Sequence, residues 1–214
     1  AHLKQDKTLL EKMLKIVEEV EVAKDDKLNT LRNLLKQPVI KGKKVLIFSQ
    51  FADTVQYLYN QLNPQGEIEA IYSQSDLSKM KIVARFAPKA NPELQARRRG
   101  EKDIQILIST DVLAEGLNLQ DGNIVINYDL HWNPVRLIQR IGRVDRIGTE
   151  YDKILVYNFL PETELEKHLG IKAKLDRRIQ EIHDTIGEDA KILDPSERLN
   201  EETMYAIYEG KKDQ

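Results

Sequence analysis

The sequence predicts an α/β domain, a parallel sheet with helices on both faces, plus flanking helical segments at both ends. Three observations carry this reading. Five short apolar runs in the middle of the chain alternate with longer amphipathic stretches, the rhythm of strand, helix, strand in a sheet covered on both sides. The two ends show only three- and four-residue apolar spacing, which is helical. The 214 residues are 41% apolar and 32% charged, enough to bury a core of one to one and a half domains.

From Leu3 to Gln37 the pattern is helical. Leu10, Met13, Leu14, Val17 and Val20 form one stripe, and Leu28, Leu31, Leu34 and Leu35 resume it after the charged break Lys24-Asp25-Asp26-Lys27. Pro38 and Gly42 punctuate its end. The strand candidates are Val45–Phe48, Ile68–Tyr72, Ile104–Ile108, Ile124–Ile126 and Ile154–Tyr157. Helix candidates between them fall at residues 52–62, 76–86, 112–116 and 134–146. Leu175, Ile179, Ile182 and Ile186 give a last helical stripe. The expected organisation is a helical lead-in over residues 1–39, the sheet domain over 40–160 and a helical extension over 161–214.

The formal net charge of −2 excludes a polybasic chain, so any nucleic-acid contact must come from locally gathered cations. The absence of cysteine excludes disulfides, thiolate zinc sites and a cysteine nucleophile, and no metal site is expected. No apolar run is long enough for a membrane span, so the expectation is a soluble, cytoplasmic chain without a membrane partner. It opens on Ala1-His2 rather than Met, which raises the expectation of a piece of something longer.

Parallel sheets bind ligands at the carboxyl ends of their strands, so the segments following each run are the informative ones. After the first comes Ser49-Gln50-Phe51-Ala52-Asp53, whose hydroxyl and carboxamide suit either a phosphate or a helix cap. After the third comes Thr110-Asp111-Val112-Leu113-Ala114-Glu115-Gly116-Leu117-Asn118, where a hydroxyl, an acid, a glycine and a carboxamide fit a ligand loop or an ordinary turn. The most informative segment is Gln139-Arg140-Ile141-Gly142-Arg143-Val144-Asp145-Arg146-Ile147-Gly148. On a helical wheel Leu137, Ile141 and Val144 form the buried stripe, while Gln139, Arg143 and Arg146 share the opposite side. Two guanidinium groups at that spacing repel each other unless they face an anion, and their planar donors suit phosphoryl oxygens. Between residues 87 and 102, Lys89, Arg97, Arg98, Arg99 and Lys102 outnumber Glu93 and Glu101, a local charge of +3 that fits a nucleic-acid backbone or a solvated loop. Trp132, just before the two-arginine segment, reads as a packing anchor.

Together these segments resemble the second, C-terminal RecA-like lobe of superfamily-two helicases, specifically SWI/SNF-type ATPases and most of all the RapA-like branch associated with bacterial RNA polymerase. The likeness runs from Lys27-Leu28 to Tyr157 through Lys44–Phe51, Thr110–Asn118, Asn127-Tyr128-Asp129 and Gln139–Gly148. It departs from the pattern at Thr149, where many SWI/SNF-type proteins carry glutamine, and in the 87–102 insert. The resemblance implies a RecA-like sheet and one half of an ATP-hydrolysing motor that grips double-stranded DNA. Arg143 and Arg146 would be arginine fingers, with Gln139, Glu115, Gly116 and Asn118 on the nucleotide side. Ser49, Gln50 and Thr110 would face the nucleic-acid backbone, joined by Arg97, Arg98 and Arg99 of the insert. ATP with Mg2+ would be held mainly by the N-terminal RecA-like lobe, because the sequence has neither Gly-x-x-x-x-Gly-Lys-Ser/Thr nor Asp-Glu-x-His. The expected partners are that lobe, duplex DNA and, as a candidate, RNA polymerase; this chain alone should be inactive, and a prokaryotic source would place it with the nucleoid. Two alternatives remain open: a non-catalytic nucleic-acid-binding or scaffold module on the same fold, and a lobe of an RNA or strand-separating helicase.

Overall fold

The apolar run Val45-Leu46-Ile47-Phe48 forms β1 (Val45–Phe48), with all four side chains buried. A strand apolar on both faces needs cover on both, and β1 takes the centre of the sheet. The structure, a computed structural model, describes residues 2–18, 21–63, 67–72, 76–98, 100–114, 117–131, 134–146 and 149–160, with Gly170 and Arg177. The expected extension over 161–214 thus lies almost wholly outside the described residues. The chain divides into two compact units, Ala1–Gly42 and Lys43–Gln214.

The first unit holds α1 (His2–Glu18), a 3-10 turn at Val22–Lys24 and α2 (Asp26–Leu35). Asp25 caps α2: its carboxylate accepts the Leu28 N–H at 2.8 Å, meeting one of the unpaired donors at a helix start. Leu28 and Leu31 are fully buried. The α1 stripe behaves differently, with Leu10, Met13 and Leu14 each more than half exposed. Periodicity locates an apolar face but does not say what covers it. Gly42 closes the unit at φ +76°, a left-handed conformation that side chains resist.

In the second unit β1, β2 (Ile68–Ile71), β3 (Ile106–Ser109), β4 (Ile124–Asn127) and β5 (Leu155–Asn158) form one parallel sheet in the order β2-β3-β1-β4-β5. Val45 lies in register with Ile106 on one side and Ile124 on the other. With α3 (Ala52–Leu62), α4 (Asp76–Phe86) and α5 (Pro134–Ile141) between strands, this is the RecA-like α/β fold the sequence predicts. Leu46 and Phe48 pack in one buried cluster with Leu107, Val125, Val83, Phe86 and Val144. Their neighbours Val45 and Ile47 alternate to the other face and are buried as deeply.

Several boundaries differ from expectation: β2 ends at Ile71 rather than Tyr72, β4 at Asn127 rather than Ile126, and β5 is shifted by one residue to Leu155–Asn158. The third strand starts at Ile106 rather than Ile104, although Ile104 is fully buried. The expected helix at 112–116 is a 3-10 turn, Asp111–Ala114. The expected helix 134–146 ends at Ile141 and continues as a turn, where Gly142 weakens helix propensity and the Arg143 carbonyl accepts from Leu119 N at 2.9 Å. That carbonyl is therefore drawn to a tertiary donor.

The 87–102 insert is sewn to the sheet domain. It contains a 3-10 helix, Pro92–Arg98. The Asp121 carboxylate accepts the Lys89 and Ala90 N–H groups, both at 2.8 Å, and the Asn91 carboxamide donates to the Ala87 and Asn118 carbonyls. The Lys89 ammonium donates to Glu150 at 2.6 Å, a bond that raises its pKa above the ordinary lysine value.

Candidate functional site

The outgoing connections of β1 and β4 run to opposite edges of the sheet, so their carboxyl ends border the kind of crevice where α/β sheets bind ligands. Side chains tie the two ends together. The Ser49 hydroxyl donates to the Asp129 carboxylate, and the Gln50 carboxamide donates to the Leu130 carbonyl at 3.1 Å. Ser49 is fully buried and its oxygen also accepts the Phe51 N–H at 3.3 Å. A phosphate reaching Ser49 would have to displace the bond to Asp129. Thr110, at the end of β3, is 8% exposed; its N–H donates to the Ile71 carbonyl at 3.2 Å. The ends of β1 and β3 thus lie side by side, since Ser49 N also donates to Ser109 O at 3.0 Å.

The segment from Gln139 to Arg146 carries three arginines in different environments. Arg140 is fully buried, and its guanidinium donates four hydrogen bonds. Nε and Nη2 donate to the two Asp111 carboxylate oxygens at 2.6 and 3.0 Å, and Nη1 donates to Asn127 Oδ1 at 2.9 Å and to the Asp129 carbonyl at 3.3 Å. The group lies 5.2 Å from the centre of the Phe48 ring. A charge this deep is tolerable only when paired and fully hydrogen-bonded, and Asp111 supplies the pairing. Arg143 and Arg146 are half-buried. Arg143 Nε donates to the Gln139 carbonyl at 3.3 Å, and Arg146 Nε to the Gly142 carbonyl at 3.2 Å. Arg146 Nη1 donates to the Asn118 carboxamide oxygen. Two residues expected on the nucleotide side, Arg146 and Asn118, are therefore in contact, and Leu119 N binds the Arg143 carbonyl beside them.

Other expected residues fall elsewhere. Glu115, Gly116, Arg99 and Trp132 lie outside the described residues. Arg97 is exposed, whereas Arg98 is paired within the insert, its guanidinium 2.5 Å from Asp103 and 3.1 Å from the Glu101 carbonyl. Among the described residues no group of three or more His, Asp or Glu side chains is placed to hold a metal ion. No described helix is long and apolar enough to cross a membrane.

The sequence reading missed Arg140, Asp111 and Asn127 as a unit. A signal was present: Arg140 sits three residues after Leu137 and four before Val144, both buried, so an arginine occupies the apolar stripe. The wheel also put Ile141 in that stripe; it is only half-buried, and Arg140 takes the deep position.

The chain is 36% identical over 126 residues to "Uncharacterized ATP-dependent helicase YqhH" of Bacillus subtilis (strain 168), covering 59% of this chain and 20% of that protein. It is 33% identical over 131 residues to "RNA polymerase-associated protein RapA" of Vibrio parahaemolyticus, covering 60% of this chain and 12% of that one. The chain thus spans a fifth or less of the length of these relatives. A crystal structure of the C-terminal part of the Fun30 ATPase domain shares the fold, with a TM-score of 0.51 at 24% identity over 69% of this chain and 44% of that one. Residues 26–148, more than half the chain, match the family described as helicase conserved C-terminal domain, and the chain belongs to that family as the C-terminal RecA-like lobe of a superfamily-two helicase.

Proposed function

We propose that this lobe is the second half of an ATP-dependent, SWI/SNF-type DNA translocase, supplying arginine fingers to ATP held mainly by an N-terminal RecA-like lobe. The observation that carries the reading is the division of labour along one short segment. Arg140 is buried and neutralised by Asp111, whereas Arg146, six residues on, is half-buried and bonded to neutral oxygens. Neutral acceptors orient a guanidinium without cancelling its charge, which leaves the charge for an anion.

Phosphoryl transfer spreads negative charge over the equatorial oxygens of the transferring group, and a guanidinium placed there is worth about 10³–10⁵ in rate. That corresponds to roughly 4–7 kcal/mol of barrier. In this reading Arg143 and Arg146 provide the charge, Asn118 fixes Arg146, and Gln139 lies one helical turn before Arg143 on the same segment. Glu115 and Gly116 would join them on the nucleotide side. Mg2+ would neutralise phosphate oxygens from the other lobe's side. The strand-end residues Ser49, Gln50 and Thr110 and the exposed Arg97 would meet the DNA backbone, with Arg99 as a further candidate, while Arg98 is held by Asp103. RNA polymerase is a candidate partner on the likeness to RapA.

Arg143→Ala and Arg146→Ala in the full-length protein should each lower ATP turnover by about 10³ or more while the protein stays folded by circular dichroism. Undiminished turnover in both variants refutes the finger assignment. Displacement of a third strand from duplex DNA, measured beside separation of an RNA or DNA duplex, distinguishes translocation from strand separation.

A further inference from the structure

The Arg140 guanidinium is the meeting point of three strand ends. It binds Asp111, which directly follows Thr110 at the end of β3. It binds Asn127, the last residue of β4, and the Asp129 carbonyl two residues on. It lies on the ring of Phe48, the last residue of β1, and the next residue, Ser49, donates to the Asp129 carboxylate. On its own chain Arg140 precedes Arg143 by three residues and Arg146 by six. Two further bonds, Leu119 N to the Arg143 carbonyl and Arg146 to Asn118, fasten the same two segments farther along.

We infer that Arg140 and Asp111 form the joint through which the strand ends expected to carry nucleic acid set the position of Arg143 and Arg146. Arg140 is thus a positioning residue: fully buried and held by four hydrogen bonds, it would act through Arg143 and Arg146 rather than on nucleotide or nucleic acid directly. A guanidinium with a bidentate carboxylate partner fixes orientation as well as distance, which a lysine ammonium in the same place cannot do. The placement of the fingers depends on this geometry because the turn that carries them follows α5 directly and hangs from Arg140: the Arg143 N–H donates to the Arg140 carbonyl at 3.2 Å, and the Val144 and Asp145 N–H groups both donate to the Ile141 carbonyl at 2.9 Å. The inference rests on the motor reading above and adds to it the residue pair that links its two ends.

The test uses Arg140→Lys, Asp111→Asn and the double variant in the full-length protein, with steady-state ATP hydrolysis measured with and without duplex DNA. Each variant should lose about 10–100-fold in DNA-stimulated kcat per folded molecule, as expected for displaced catalytic groups. KM for ATP and Kd for DNA should stay within about twofold, and the double variant should be no worse than the poorer single one, because both substitutions break one joint. A purely structural pair would lower thermal stability and leave kcat per folded molecule unchanged. That result, or additive losses in the double variant, overturns the joint. Should Arg140→Lys fail to fold, Asp111→Asn decides the matter by itself, since its side chain is a near-isostere and 20% exposed. A wild-type protein without any DNA-stimulated hydrolysis overturns the motor reading instead.

Discussion

Removing the Asp111 carboxylate should destabilise the second unit by about 3 kcal/mol. Asp111→Ala deletes two charge-assisted bonds, at 2.6 and 3.0 Å, from a guanidinium that has no exposure to solvent. Such bonds contribute about 1.5–3 kcal/mol each, and breaking a buried pair by removing one partner costs about 3–5 kcal/mol. The Asp111 side chain is 20% exposed, so water entering the vacated space can meet some of the orphaned donors, which places the loss at the lower end of that range. For a domain of this size the equivalent is a fall in Tm of about 6–12 °C. Urea denaturation of the intact chain, followed by circular dichroism, reads the difference directly. Replacing both partners at once, with Arg140→Met and Asp111→Leu, should recover much of the loss, because no uncompensated charge then remains buried. A loss below about 1 kcal/mol for Asp111→Ala would show that Arg140 is satisfied without its carboxylate and would refute the reasoning.

Two neighbouring arginines in the insert should behave differently. Arg97→Ala should weaken DNA binding and reduce the salt slope of log Kd by about one, whereas Arg98→Ala, whose charge is paired with Asp103, should leave the slope unchanged and cost about 1 kcal/mol or less of stability. A salt slope unchanged in Arg97→Ala would remove the insert from the DNA interface. Gly122→Ala should cost about 1–3 kcal/mol in urea denaturation, since a Cβ there meets the Lys44 carbonyl at 3.1 Å and the Phe86 ring at 3.3 Å. An unchanged midpoint would mean that the β3–β4 loop gives way freely.

The strands were legible because their signal is local. Val45–Phe48 is apolar on every residue, and only a central strand or a buried helix carries such a run; Gly42 before it and Ser49-Gln50 after it make it too short for a helix. The helices α3 and α4 matched the expected spans 52–62 and 76–86, where amphipathic spacing is uninterrupted. The end of α5 was not legible. Its wheel pattern continues to Arg146, but Gly142 and the Leu119 donor stop the helix at Ile141, and that donor is 24 residues away in the chain. On α1 the spacing marked an apolar face correctly as a face, yet Leu10, Met13 and Leu14 remain largely exposed.

The sequence by itself determined the α/β class, the order of the strands along the chain and the segments that follow them, because strand periodicity and arginine spacing are written in neighbouring residues. Which arginine does what was decided only by the tertiary structure. Arg140, Arg143 and Arg146 share one chemistry and one short segment, and they part company because an acid 29 residues upstream in the chain lies against the first of them. A charged side chain is drawn inside only where a distant residue compensates its desolvation, and sequence spacing carries no record of that distance in space.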